Sequence, residues 1–110
     1  MSFTGQWRMK VESSLTPNPF LLTLMDDGAG RLSGSISEEG GPNVQPIEEG
    51  VYQAEKLHWE MDLRYFISTF HAIFEAAVAG DRMEGQVTVS GYKKNFVATR
   101  EGAGYVAKVA

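Results

Sequence analysis

Two histidines carry this chain's capacity for proton transfer near neutral pH. His58 stands two residues before Glu60, a spacing that on an extended strand puts both on one face, about 7 Å apart along it. His71 stands four residues before Glu75. On a helix that pair would be neighbours; on a strand it would be separated by roughly 13 Å. Either imidazole could act as a general base. Glu48, Glu49 and Tyr52 flank an acidic, glycine-rich stretch able to cover the mouth of a cavity, where apolar surroundings would raise a carboxylate pKa. Glu60, His58, His71 and Tyr52 are therefore the catalytic candidates. Against them stands the alternation of the chain: His58, Glu60, Asp62 and Arg64 share the wet parity of their segment, which favours a solvated face.

Other chemistries lack their residues. There is no cysteine, hence no disulfide, thiolate nucleophile or thiolate zinc ligand. The His and carboxylate spacings match no metal motif, so no metal site is expected. Gly-x-Ser-x-Gly, the P-loop and the dinucleotide fingerprint are all absent, and no cofactor is expected.

These side chains must be positioned by one domain, residues 1–110, with 43% hydrophobic and 22% charged residues. The net charge of −4 and the lack of any basic run longer than Lys93-Lys94 exclude a nucleic-acid module. That lysine pair reads as the solubilising part of a turn. No apolar run reaches the roughly 18 residues of a membrane span, and the N-terminal MSFTGQW has neither a basic nor an apolar leader region. Both point to a cytoplasmic protein.

Glycine marks the turns: Asp26-Asp27-Gly28-Ala29-Gly30, Glu39-Gly40-Gly41-Pro42, Gly80-Asp81 and Ser90-Gly91. Short alternating segments lie between them, the pattern of a sandwich or barrel. Trp7, Met9 and Val11 share one parity and Arg8, Lys10 and Glu12 the other. Phe20, Leu22 and Leu24 follow, then Leu32, Gly34 and Ile36 after a DG turn that makes a hairpin. Residues 38–50 read as a long polar loop with at most a short strand near Val44–Ile47. Leu57, Trp59, Met61 and Leu63 give the strongest strand signal. Met83, Gly85, Val87 and Val89, and then Phe96, Ala98 and Arg100, complete the set. Residues 64–80 fit two periods, because phenylalanines four apart satisfy a helix and a strand equally. The Ala79-Gly80-Asp81-Arg82 turn into a well-alternating strand favours the strand.

Taken together, Gly5-x-Trp7, the DG turn followed by Leu32-Ser33-Gly34-Ser35, the run Gly80-Asp81-Arg82-Met83-Glu84-Gly85 and the closing Phe96-Val97-Ala98-Thr99-Arg100 form an ordered pattern. It resembles that of the calycin-type small barrels, the lipocalin-like and avidin-like proteins, including stand-alone bacterial lipocalin-like domains. The resemblance implies an all-β fold, an eight-stranded up-and-down antiparallel barrel whose lumen takes a small apolar ligand. It also implies structural roles for Gly5, Trp7 and Arg100, with the guanidinium lying over the indole at a closed end. The polar ligands of an avidin-type biotin site are not recoverable from this chain.

On parity the barrel interior is aromatic and rich in methionine, which suits either a packed core or a lined pocket. The expected ligand-binding side chains are Met9, Phe20, Leu22, Trp59, Met61, Phe70 and Phe74, with Tyr52, Ser68 and Tyr92 as orienting polar groups. The expected function is binding of a small, largely apolar molecule by a carrier or sensor. The alternative is a cyclase or isomerase on the same barrel, working by acid–base chemistry or by preorganising its substrate. Ile67 and Ile73, with Leu21 and Val97, lie on the outward parity and suggest a partner surface, so a homodimer is expected.

Overall fold

The computed structural model describes residues 3–12, 19–38, 44–65 and 68–101. Its elements are strands β1 (Gly5–Val11), β2 (Phe20–Asp26), β3 (Arg31–Glu38), β4 (Val44–Pro46), β5 (Glu48–Gln53), β6 (Lys56–Tyr65), β7 (Ser68–Ala79), β8 (Arg82–Val89) and β9 (Tyr92–Arg100). Neighbours pair antiparallel in the order β2-β1-β9-β8-β7-β6-β5-β3, and β2 pairs with β3 to close the ring. β4 and β5 run one after the other along β3, at Ser35–Ser37 and at Arg31–Leu32 respectively. They act as one broken stave, so the result is a closed eight-stranded antiparallel barrel with up-and-down strand order.

Closure gives each described strand a paired neighbour on both sides, except β4 on that broken stave. β5 pairs with β6 from Glu48↔Glu60 to Gln53↔Lys56 through a bulge between Glu48 and Val51. Glu49 there has φ 51°. Among the described residues, β4 pairs with β3 alone, and β6 beyond Glu60 pairs with β7 alone. The short strand expected near Val44–Ile47 within the 38–50 stretch is β4 (Val44–Pro46), and the part read as loop also supplies the start of β5 (Glu48–Gln53).

Residues 68–79 are strand rather than helix. β6 extends to Tyr65 and β7 begins at Ser68, so the segment 64–80 is split between two staves and not one long strand. Phe66 and Ile67 lie outside the described residues. Ile73, Leu21 and Val97, expected to face outward, are half-buried.

Alternation holds in the inward sets of β1, β2, β6 and β8, while Ser68 and Phe70 at the start of β7 are exposed. Trp7, Met9, Leu22, Leu24, Trp59, Met61, Ala72 and Met83 are fully excluded from solvent. With Phe3, Leu57, Phe74, Val78, Phe96 and Ala98 they fill one continuous core, and among the described residues that core holds no buried charged or polar residue. Gly34 shows how tightly the wall bends. It has φ +148°, and a Cβ there would sit 1.8 Å from the Thr23 carbonyl oxygen of β2, so no side chain fits.

The β2–β3 hairpin is set by its first turn residue. Asp27 Oδ1 accepts hydrogen bonds from the amides of Ala29 (2.7 Å) and Arg31 (3.0 Å), an Asx turn that offers the backbone a local partner. Those two bonds hold the Asp27 carboxyl below its ordinary pKa.

Candidate ligand-binding site

The two ends of the barrel are built differently. At one end β1, β2 and the strand ends of β8 and β9 are knitted across the opening. Phe3 lies buried under it, its amide donating to Asp26 Oδ2 at 2.6 Å. The Trp7 indole N–H donates to the Phe3 carbonyl at 3.0 Å. Trp7 is opposite Arg100 in the β1–β9 register, and the guanidinium carbon stands 4.5 Å from the indole centroid. Arg100 is fixed in turn: Nη1 donates to the Thr4 carbonyl at 2.7 Å and Nε to Asp81 Oδ1 at 2.9 Å. A cation held over an indole contributes about 0.5–2 kcal/mol. Gly5 beside it has φ +142°, while a Cβ would lie 3.5 Å from Arg100 Nη1, an ordinary contact. Its conformation, not lack of room, calls for glycine.

At the other end the side chains do not meet. A cavity of about 190 Å³ opens there. Its walls come from Met9 and Val11 of β1, Phe20 of β2, Ile36 of β3, Leu63 of β6, Phe74 of β7, Val87 and Val89 of β8, and Lys94 of β9. Drug-sized ligand sites run to roughly 300–1,000 Å³, so an unexpanded cavity of this size suits a small molecule. Among the described residues, Lys94 is the only ionisable one in the lining, and it has no ion-pair partner there.

The expected ligand-binding residues divide into four groups. Met9, Phe20 and Phe74 line the cavity. Leu22, Trp59 and Met61 are sealed in the core beneath it. Phe70, Ser68 and Tyr92 are exposed near the open end, Tyr92 at 75%. Tyr52 stands apart from them at the closed end, its ring edge-on to Phe3 with centroids 5.1 Å apart; it covers no mouth. Sequence reasoning passed over Lys94 as a turn lysine. Its parity with Phe96, two residues on, was the signal that it points inward.

One core side chain is incompletely satisfied. Trp59 stacks on Phe74 (5.0 Å, 10°) and tilts against Phe96 (6.3 Å). Its indole Nε1 is buried with no acceptor among the described residues. An unmade buried donor of this kind costs about 1–3 kcal/mol, so the position is informative.

The histidines sit on the outside of the β6–β7 wall. His71 is paired across the strands with Asp62, and His58 with Glu75. Glu60 joins them: its Oε1 lies 2.7 Å from His71 Nε2 and its Oε2 3.2 Å from His58 Nε2. His71 Nδ1 meets Asp62 Oδ1 at 2.9 Å. His58 Nδ1 reaches Glu75 Oε2 at 4.0 Å. Carboxylates and imidazoles thus alternate in a chain over the surface. Hydrogen bonds to Asp62 first and Glu60 second raise the His71 pKa above its ordinary value. Those from His71 first and His58 second lower that of Glu60. None of the four catalytic candidates lines the cavity. Among the described residues no three His, Asp or Glu groups are arranged to hold a metal.

The closed antiparallel ring, packed at one end and hollow at the other, is a calycin-like small β-barrel. Solved structures include one of the same fold, the crystal structure of Echinococcus granulosus fatty-acid-binding protein 1. It superposes with a TM-score of 0.50 at 14% identity, over 90% of this chain and 97% of that one. No protein-family model matches the sequence, and no curated protein matches it. Among the described residues no helix is long and apolar enough to cross a membrane.

Proposed function

We propose that this chain is a binding protein for one small, largely apolar molecule, held in the open end of the barrel as a carrier or sensor holds its ligand. The observation that carries this reading is the cavity itself: among the described residues, eight apolar side chains and one lysine around about 190 Å³, above a buried apolar core. Apolar surface taken from water there is worth roughly 25 cal/mol per Å², and Lys94 at the wall gives a ligand one charged contact. The shared fold with a fatty-acid-binding protein supports the reading at the level of architecture. A binder is favoured over an acid–base enzyme because Glu60, His58, His71 and Tyr52 all lie away from the cavity.

The test is uptake of 1-anilinonaphthalene-8-sulfonate, an apolar dye with one anionic group, followed by its fluorescence. Saturable binding by the native protein, abolished in Val87→Trp, is the expected outcome. Uptake unchanged in a folded Val87→Trp protein would put binding elsewhere and end the proposal.

A further inference from the structure

The Trp59 indole N–H points to a feature of the ligand that the apolar walls do not. We infer that the ligand of this barrel carries an uncharged oxygen acceptor at its buried end, a ketone, ester or similar carbonyl, and that Trp59 Nε1 donates to it. The inference rests on the cavity being the ligand site and adds the chemistry of the ligand's leading atoms.

Three observations meet here. Trp59 is wholly buried and its Nε1 has no acceptor among the described residues, whereas Trp7, the other indole, is satisfied by the Phe3 carbonyl. Trp59 is next to the cavity through a shared wall, because Phe74 both lines the cavity and stacks on the indole. Around it the core holds no buried charged residue among those described. A carboxylate driven that deep would lie without a cation, which its desolvation forbids. A carbonyl needs one donor, and one donor is present. The one lining cation among the described residues, Lys94, is an exposed residue of β9 two positions before buried Phe96, so any anionic group belongs at the mouth and not at the floor. The Phe74 ring is the side chain shared by the cavity wall and the indole stack.

The experiment compares 2-octanone, n-octane and octanoate on the native protein, with the two indole N–H resonances followed by 15N–1H spectroscopy. The Trp59 resonance is assigned by its contacts to Phe74. The expected result is that 2-octanone moves the Trp59 indole proton downfield, n-octane binds without moving it, and octanoate leaves it in place. Trp59→Phe then weakens 2-octanone about tenfold, a single hydrogen bond's worth, and leaves n-octane unaffected. Binding of 2-octanone and n-octane with the indole resonance unmoved by either would overturn the inference and leave the cavity reading standing. Octanoate shifting the indole as 2-octanone does would overturn the requirement for a neutral head. Failure of all three probes to bind would overturn the cavity reading, and this inference with it. Should Trp59→Phe not fold, the resonance shift on the native protein decides alone.

Discussion

The Trp7 end and the Phe20 end of this barrel are made from the same strands and the same alternation, yet one is sealed and the other hollow. At the sealed end the closing groups have fixed partners: the Trp7 indole has the Phe3 carbonyl, and the Arg100 guanidinium has the Thr4 carbonyl and Asp81. At the hollow end the inward residues Val11, Phe20, Leu63 and Val89 are only partly buried, and they face space. On the proposed function, stability and binding fall to opposite ends of one sheet.

The sharpest way to break that contrast is to truncate each end in turn. Trp7→Ala removes a fully buried indole and the seat of Arg100; it should cost about 3–5 kcal/mol in chemical denaturation. Arg100→Met, which keeps an apolar stem but drops the cation and its two hydrogen bonds, should cost about 1–3 kcal/mol. Phe20→Ala at the hollow end should cost less than Trp7→Ala, about 1–2 kcal/mol, because the residue is only partly buried, and it should enlarge the cavity and speed dye uptake. If Phe20→Ala proves as damaging as Trp7→Ala, the division of labour between the ends is wrong.

The smallest effect belongs to neither end but to the outer wall. The folded-state pKa of His71 lies above its unfolded value of 6.5. Its contribution to stability is therefore fully present below about pH 6.5 and is lost as pH rises through the raised value. Glu60 has the opposite sign: its folded pKa lies below 4.5, so its contribution is present above that pH and fades as pH falls through the lowered value. In native protein, a plot of denaturation midpoint against pH should fall gently on the alkaline side of neutrality, and His71→Gln should flatten it. Because these groups are exposed, 1 M salt should flatten it as well; a slope that survives both changes would assign the pH dependence to other groups.

Much of this architecture was legible from alternation alone. The sets Trp7-Met9-Val11 and Leu57-Trp59-Met61-Leu63 face inward because a period of two is unambiguous when long apolar and charged residues alternate. The Asp27-Gly28 turn named its hairpin because its side chain makes the turn locally. Three features were hidden for physical reasons. In 64–80 the phenylalanines recur every four residues, a multiple of the strand period, so the passage from β6 to β7 left no mark. In 44–53 the strand formers Val44, Ile47, Val51 and Tyr52 are interrupted by Pro46, Glu48, Glu49 and Gly50, and the stave is held by pairing with β3 and β6. Finally, which end stays hollow depends on how side chains from eight strands meet across the lumen, and that sum is carried by no single segment. Lys94 was obscured for a related reason: beside Lys93 it looked like surface charge, although its register is that of Phe96.

The broken stave has a mechanical side. Where, among the described residues, β4 bonds only to β3 and β6 beyond Glu60 only to β7, the cylinder is like a sleeve with a short slit at its hollow rim. Its girth there can grow by parting the slit, with every existing backbone hydrogen bond left intact, while the hem at Trp7 and Arg100 keeps its diameter.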